Sequence, residues 1–277
     1  MSHARRDANA MKLIHITDTH LVAPGKLLFG LDPQARLAAC IDDIASHHAD
    51  AALCVITGDL AHRGELAAYE ALAAELDRLP MPVHALVGNH DAREPFRAAF
   101  PAAARDADGF VQAVVRRDEG DFIFLDTLDE GVHGGRLCDA RLGWLAARLD
   151  EAGQRPVYLF MHHPPFAVGM TWLDEIALGE PERLARVVEG HDIRHLFYGH
   201  VHRPVCGSWR GIPVSTMRGT NHQVPFDLGP RIETLPTHEP PAYGVVLIEP
   251  DCVVVHFHDY LDRTRLVEVD GGYAYAP

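Results

Sequence analysis

The chain has 277 residues, which can bury a full core either as one α/β domain or as a domain with a smaller appendage, and its 47% hydrophobic and 23% charged residues are ordinary for a soluble globular protein. Its formal net charge is -14, and no cluster of Lys and Arg exceeds a pair, which argues against a long nucleic-acid footprint. No apolar run approaches the length of a membrane span, and no signal-peptide pattern opens the chain. Five widely scattered cysteines fit a reducing compartment, so we expect a cytoplasmic protein.

The N-terminal half alternates predicted strands and helices. The first ten residues are polar and aperiodic, and we expect a disordered leader there. The next predicted elements are a strand over 12–17, a helix from Asp32-Pro33 to about His48, a strand over 51–57, a helix over 65–79 and a strand over 82–87. Three strand–helix units in succession imply a parallel sheet with right-handed crossovers.

The second half begins with a predicted hairpin and ends in short strands. The predicted elements are strands over 110–117 and 121–126, a helix over 139–151, a strand over 157–161, a helix over 181–189, and strands over 195–198, 205–209, 212–216, 244–248 and 253–258. A four-layer αββα sandwich of the α/β class fits this order best. We expect a catalytic domain over 11–218, a cap or oligomerisation excursion over 219–241, and closing strands over 242–277.

Five short motifs of metal-ligand residue types each follow a predicted buried strand. In chain order they are Asp18-Thr19-His20, Gly58-Asp59, Gly88-Asn89-His90-Asp91, His162-His163-Pro164-Pro165 and Gly199-His200-Val201-His202. Open α/β sheets bind ligands at the carboxyl ends of their strands, so we expect these side chains to converge. In the first and last motifs, an extended backbone is predicted to point two alternate side chains to the same side.

Together the motifs offer more donors than one metal ion uses. The candidate ligands are two aspartates, one asparagine and four histidines: Asp18, His20, Asp59, Asn89, His162, His200 and His202. Two ions that share a carboxylate would use all of them, and Asp59 can bridge through its two oxygens. A pair of ions about 3.5–4 Å apart clamps substrate and attacking oxygen in phosphate-ester cleavage. The sequence therefore predicts a dinuclear metal centre.

Each motif taken alone has a plainer interpretation. Asp18 or Asp59 could cap a turn or a helix, and Gly88-Asn89 could be a simple turn. One residue of the His162-His163 pair could be structural, and we predict His162 as the ligand and His163 as its neighbour. Nitrogen and oxygen donors without a thiolate favour Mn, Fe, Co or Zn over Cu(I), and four histidines argue against Ca.

The five motifs, with the chain from Ile14 to about Val224, resemble the calcineurin-like metallophosphoesterase superfamily. The resemblance implies an αββα sandwich with a dimetal centre at the strand ends. Carried over by motif, it implies one ion held by Asp18, His20 and His202, a second held by Asn89, His162 and His200, and Asp59 as their bridge. It implies His90 and Asp59 as catalytic residues, and we expect His90, Asn89 and His222 to contact substrate.

Within the superfamily, three stretches are similar to bacterial class III cyclic-nucleotide phosphodiesterases. They are MHHPP, the MTWLDE loop that follows it, and residues 219–225, of which the last is closest to the glycerophosphodiesterase relatives. The sequences GDLAHRG and GNHD disfavour the protein Ser/Thr phosphatases. His62 stands where purple acid phosphatases have a metal-bound tyrosine and where the class III branch commonly has an acidic residue.

The expected reaction is hydrolysis of a small phosphodiester, a 3′,5′-cyclic nucleotide or a glycerophosphodiester, by metal-activated hydroxide. Two alternatives remain: a catalytically silent metal-binding interaction module, and a DNA nuclease of the same superfamily. The acidic balance counts against the nuclease, and the full set of ligands counts against the silent module.

The excursion over 219–241 leaves two interpretations open. His222 and Gln223 could line the leaving group of the substrate, or they could only pack the loop. The excursion also carries five apolar residues, Val224, Phe226, Leu228, Ile232 and Leu235. We expect this surface to close over the site or to bury against a second subunit, and a homo-oligomer is therefore predicted.

Overall fold

The computed structural model describes residues 10–230 and 235–262, and within them the chain forms eleven strands and six helices. The strands are β1 (Met11–Ile16), β2 (Leu53–Thr57), β3 (Val83–Leu86), β4 (Ala113–Arg117), β5 (Gly120–Phe124), β6 (Val157–Phe160), β7 (Ile193–Phe197), β8 (Val205–Trp209), β9 (Ile212–Thr216), β10 (Tyr243–Glu249) and β11 (Cys252–His258). The helices are α1 (Pro33–His47), α2 (Leu66–Leu76), α3 (Arg93–Ala99), α4 (Asp139–Ala152), α5 (Thr171–Asp174) and α6 (Pro181–Val188).

The strands form two sheets. The first has the order β11-β10-β1-β2-β3, and the second has the order β4-β5-β6-β7-β9-β8. As predicted, β1, β2 and β3 run parallel, whereas β10 joins β1 antiparallel from far along the chain. In the second sheet β5, β6, β7 and β9 are parallel, and the antiparallel edge strands β4 and β8 come from hairpins.

Three apolar clusters hold the layers together. Phe122, Phe160 and Phe197 of the second sheet meet Leu13 and Val55 of the first in the cluster between the sheets. The other two clusters lie beneath the helices, one under α1 and α2 and one under α4 and α6. The layer order is therefore helix, sheet, sheet, helix, which confirms the predicted αββα sandwich.

The local signals that predicted the helix starts are visible in the structure. The side chain of Asp32 accepts a hydrogen bond from the backbone N–H of Ala35 at 3.0 Å, and Pro33 occupies the first turn of α1. Pro181 likewise occupies the first turn of α6, but no side chain caps that helix. The helix predicted over 65–79 is shorter at both ends, because α2 spans Leu66–Leu76. Two helices were not predicted: α3, and the single turn α5.

Parts of the predicted domain organisation lie outside the described residues. These are nearly all of the leader over 1–10, residues 231–234 of the excursion, and the end of the chain from residue 263. The division into a catalytic domain, an excursion and closing strands stays a prediction. No helix in the described residues is long and apolar enough to span a membrane.

Candidate metal centre

The seven candidate ligands meet at one end of the sandwich. They follow the carboxyl ends of β1, β2 and β3 in the first sheet and of β6 and β7 in the second. Six of them are buried, and Asn89 is partly exposed. Both sheets therefore contribute side chains to a single cluster, as the motif positions predict. Their role as metal ligands stays a prediction.

Four side chains form the first half of this cluster. His20 Nε2 lies 3.0 Å from His202 Nε2 and 3.5 Å from Asp59 Oδ2. His202 Nε2 lies 3.3 Å from Asp18 Oδ1. The potential ligand atoms of these four residues all lie within 4.8 Å of one another. We call this group the first ligand cluster.

The second ligand cluster consists of Asp59, Asn89, His162 and His200. Asn89 Oδ1 lies 3.1 Å from His162 Nε2 and 3.0 Å from His200 Nδ1. His162 Nε2 lies 3.3 Å from Asp59 Oδ1. Asp59 thus presents one carboxylate oxygen to each cluster, which is the arrangement that a bridging carboxylate requires.

The spacing of these atoms fits a pair of cations. Nitrogen and oxygen ligands at about 2.1 Å from an ion lie about 3.0–3.4 Å apart in octahedral or tetrahedral geometry. The observed separations of 3.0 to 3.5 Å fall within or next to that range. Each cluster contains carboxylate and imidazole groups and no thiolate, which suits divalent transition metals.

The backbone at the candidate ligands is not extended. Five of the seven lie in the left-handed region, with φ of 52° at Asp18, 44° at His20, 50° at Asp59, 71° at His200 and 50° at His202. The prediction that an extended backbone aligns the first and last motifs is therefore wrong, although their side chains do converge. A non-glycine residue in this region costs about 1–2 kcal/mol, and such strain is concentrated at functional sites.

Burial and mutual charge set the protonation of the clusters. Burial opposes ionisation of Asp59, but the nearby His162 and His90 hold its pKa well below the ordinary value. Burial alone would lower the pKa of His162, but Asp59 raises it to about 9. Burial lowers the pKa of His20 strongly and that of His200 to about 3. Neutral His20 and His200 keep a lone pair for a cation, whereas His162 must release a proton to bind one.

Asp91, a residue to which the sequence assigned no role, joins two of the ligand loops. Its Oδ2 accepts hydrogen bonds from the backbone N–H groups of Gly88 at 2.8 Å and Leu60 at 3.1 Å. Its Oδ1 accepts from Ala61 N at 3.0 Å and from the Tyr69 hydroxyl at 2.9 Å. The loop that carries Asp59 and the loop that carries Asn89 are thereby held together.

The contacts bear on two questions that the sequence left open: the role of His163 beside His162, and the role of His222 and Gln223 in the loop. His163 Nδ1 lies 2.8 Å from the Thr127 hydroxyl and its Nε2 lies 3.1 Å from the His133 carbonyl, so both nitrogens have partners other than the candidate ligands. One of them nevertheless lies within 4.8 Å of nitrogens of His162 and His200. The amide of Gln223 donates to and accepts from the backbone of Gly219 within the loop, and Gln223 also lines the cavity, so both interpretations of this residue stay open. His222 lines the cavity, and its carbonyl lies 2.8 Å from His202 Nδ1.

A cavity of about 310 Å³ opens over the two clusters. Besides candidate ligands, its wall includes Phe29, His62, His133 and Trp172, of which His62 and, within the MTWLDE loop, Trp172 were noted in the sequence. Phe29 has a left-handed backbone with φ of 52°, and 45% of its surface is exposed. Its ring meets that of His222 edge to face at 4.7 Å. The wall residues that are not candidate ligands come from loops that are distant in the sequence, so no local pattern shows that they share a cavity.

A buried chain of hydrogen bonds supports Asp18 from below. The Thr17 hydroxyl donates to Asp18 Oδ2 at 2.7 Å, the Thr57 hydroxyl donates to the Thr17 hydroxyl at 2.9 Å, and His15 Nε2 lies 2.9 Å from the Thr57 hydroxyl. Because the Thr57 hydroxyl donates its only proton to Thr17, it must accept from His15, so His15 Nε2 is the donor. Burial lowers the pKa of His15 to about 3, so this histidine is neutral.

Comparison with known proteins gives the family. Residues 11–204 match the model of the calcineurin-like phosphoesterase family. The chain belongs to this family. The match covers the five motifs and both ligand clusters, and it confirms the resemblance seen in the sequence.

Two relatives and one solved structure show the range of this similarity. The chain is 46% identical over 250 residues, 89% of its length and 91% of the relative's, to a probable cyclic nucleotide phosphodiesterase of Rhodopseudomonas palustris. It is 30% identical to a glycerophosphodiester phosphodiesterase of Enterobacter lignolyticus, over 78% of this chain and 80% of that one. A purple acid phosphatase from yellow lupin seeds shares the fold, with a TM-score of 0.67 and 13% identity over 92% of this chain and 52% of the other.

Proposed function

We propose that the protein is a metal-dependent phosphodiesterase that hydrolyses a small phosphodiester, a 3′,5′-cyclic nucleotide or a glycerophosphodiester. The observation that carries this proposal is the position of Asp59, whose two oxygens lie 3.3 Å and 3.5 Å from histidine nitrogens of different clusters. Relatives that are named as phosphodiesterases and share most of the chain's length support it.

The donor set leads us to infer two transition-metal ions, Mn, Fe, Co or Zn. Residues that would hold the first are Asp18, His20 and His202, those that would hold the second are Asn89, His162 and His200, and Asp59 would serve both. When bound, such a pair lowers the pKa of water and offsets negative charge on the phosphate.

His90 is the residue we assign to the leaving oxygen. Its Nδ1 lies 2.9 Å from the carbonyl oxygen of His62, which can only accept, so Nδ1 carries a proton. Its Nε2 is the nitrogen that remains for the cavity, and His90 lines that cavity. His90 would give up a proton at Nε2 to the leaving alkoxide, a general-acid role that an imidazole can serve. The backbone N–H of His90 donates to Asp59 Oδ1 at 2.9 Å, which fixes the position of His90 relative to Asp59.

The test of the reaction is turnover of bis(p-nitrophenyl) phosphate after loading with Mn, Fe, Co or Zn. We expect turnover in protein that elemental analysis shows to hold metal. The His90→Ala variant should lose most of this turnover while its metal content stays unchanged. If none of the four metal-loaded preparations hydrolyses this substrate although metal is bound, the proposal is contradicted. Nicking assays on single-stranded and double-stranded DNA serve as the comparison, and we expect no cleavage there.

The substrate is the finer part of the proposal. A cavity of about 310 Å³ fits a small ester, and both kinds of relative act on one by name. Cyclic AMP, cyclic GMP, 2′,3′-cyclic nucleotides, glycerophosphocholine and glycerophosphoethanolamine should be compared under the same metal loading. Equal kcat/KM for all five would contradict a defined substrate class.

We also infer a homo-oligomer located in the cytoplasm. Phe226, Leu228 and Leu235 of the excursion are 67%, 60% and 83% exposed, which is more apolar surface than a solvated loop needs. Val224 is buried instead, and Ile232 lies outside the described residues. Light scattering on a Phe226→Ser, Leu228→Ser double variant should give a lower mass than the parent, and equal masses would contradict the interface. Fractionation of cells that express the protein tests the location.

A further inference from the structure

His62 occupies a central position in the wall of the cavity. Its Nδ1 lies 3.3 Å from Nδ1 of His20, and its ring stacks on that of His90 with centroids 4.9 Å apart and planes inclined by 19°. Its carbonyl oxygen accepts the hydrogen bond from His90 Nδ1. Phe29 meets its outer side edge to face at 5.8 Å. One residue thus contacts both a candidate ligand and the candidate proton donor.

The facing nitrogens of His20 and His62 determine where the protons lie. Two ring nitrogens at 3.3 Å form a hydrogen bond only when one donates and the other accepts. His20 Nε2 points into the first ligand cluster, 3.0 Å from His202 Nε2. When His20 Nε2 binds a cation it must keep its lone pair, so the proton of His20 then lies on Nδ1. His62 Nδ1 is therefore the acceptor, and neutral His62 carries its own proton on Nε2.

This partner sets His20 apart from the other candidate ligands. His162 Nδ1 lies 2.7 Å from the carbonyl of Thr57, and His202 Nδ1 lies 2.8 Å from the carbonyl of His222. A metal-ligating histidine usually donates its second N–H to a carbonyl, a carboxylate or water. His20 instead meets an imidazole, and an imidazole that accepts on one side presents a donor on the other.

We propose that His62 is a positioning residue that fixes His20 as the Nδ1–H tautomer and, by the same hydrogen bond, presents its Nε2–H to the cavity as a donor for the phosphodiester. The proposal rests on the proposed function in that His20 is taken as a metal ligand. Within the described residues, His62 Nε2 makes no hydrogen bond, and His62 lines the cavity. Since His90 is assigned to donate at its own Nε2, the stacked pair would offer the substrate two donors, one from each ring.

Two near-isosteric variants separate the two halves of this role. In His62→Asn the side-chain amide takes the place of Nδ1, so it can accept from His20 but cannot reach the cavity. In His62→Gln the amide takes the place of Nε2, so it reaches the cavity but leaves His20 without its acceptor. His47→Gln, at the exposed end of α1, is the matched control for removal of an imidazole.

Metal affinity, measured by competition with a chelator, is the readout that does not depend on turnover. We expect His62→Gln to bind the first equivalent of Zn about 10–100-fold more weakly, the usual effect of removing a partner of a ligand. We expect the Zn affinity of His62→Asn to stay within about threefold of that of the parent. Its KM for bis(p-nitrophenyl) phosphate should rise about tenfold, with a smaller change in kcat. A His62→Gln protein that binds Zn as tightly as the parent overturns the positioning role.

Nitrogen-15 spectra of the Zn-loaded parent protein test the tautomers without any variant. The expected result is a protonated Nδ1 on His20 and a protonated Nε2 on His62. The opposite tautomer on either ring overturns the proposal, even if both variants fail to fold. If the protein binds Zn with these tautomers but hydrolyses no phosphodiester, then the proposed function fails and the positioning role stands.

Discussion

Replacement of His195 by glutamine should change how the stability of the protein depends on pH. His195 lies in β7, the strand that leads to His200 and His202, and it is only 6% exposed. Its Nε2 lies 2.8 Å from the Ser215 hydroxyl, and its ring stacks on that of Phe197 at 4.2 Å. Burial lowers its pKa from 6.5 to about 4. The folded protein therefore holds this imidazole neutral at pH values where the unfolded chain protonates it.

The sign and size of the effect follow from that difference in pKa. Because the unfolded state binds the proton more readily, stability is complete above pH 6.5, falls as the pH drops from 6.5 to about 4, and levels off below. A shift of about 2.5 pKa units corresponds to about 3 kcal/mol at the lower limit. Between pH 7.5 and pH 5 the expected loss from this group alone is about 2 kcal/mol.

The assay is urea denaturation of metal-free parent and His195→Gln protein at pH 7.5 and pH 5. Glutamine can keep the hydrogen bond to Ser215 but loses the stacked ring, so we expect the variant to be about 1–2 kcal/mol less stable at pH 7.5. At pH 5 this deficit should shrink by about 2 kcal/mol, because the variant has no imidazole to protonate. Ser215→Ala, which keeps His195, should retain the parent's slope. A deficit for His195→Gln that is the same at both pH values would refute the reasoning.

Three further predictions concern the candidate site. Asp59→Asn should lower metal occupancy in both clusters while Asn89→Ala should mainly empty one, and two ions retained in Asp59→Asn by elemental analysis would contradict the bridge. Phe29→Ala should raise KM for cyclic nucleotides about 5–100-fold, from the loss of a stacking surface, and leave glycerophosphoethanolamine unchanged; parallel changes would exclude stacking. Gly199→Ala should lower the free energy of unfolding by about 1–3 kcal/mol, because its Cβ would lie 2.2 Å from the Thr17 hydroxyl. Gly143→Ala in α4, which has open space around it, should raise the free energy of unfolding by up to about 1 kcal/mol in the same denaturation experiment.

The sequence predicted the elements whose signals are local. Asp32 and Pro33 marked the start of α1, and the predicted hairpin is present as the antiparallel pair β4 and β5. The hairpin strands β8 and β9 have the predicted bounds. In contrast, α3 has seven residues and α5 has four, which is too short for a helical repeat of apolar residues to stand out.

The candidate ligands were predictable as a set, because each follows a strand and strand ends converge. The residues around them were not, since their roles arise only from long-range contacts. Asp91 acts on backbone N–H groups about thirty residues away in the chain. His62 faces His20 across forty-two residues. A carboxylate or an imidazole in a loop has no neighbour in the sequence that indicates such a partner.

The left-handed backbone at the candidate ligands has a consequence for how the site is formed. Five such residues at about 1–2 kcal/mol each would store several kcal/mol of strain. Close packing holds the strained loops in place: a Cβ on Gly88 would lie 2.3 Å from Asp59 Oδ1, and one on Gly219 would lie 2.8 Å from the Asp18 carbonyl. Because the glycines let the ligand loops pack this tightly, the two clusters keep their geometry through the protein's own contacts. The strain is thus offset by the folding of the sandwich, and if the clusters bind cations as proposed, the free energy of that binding is left for affinity.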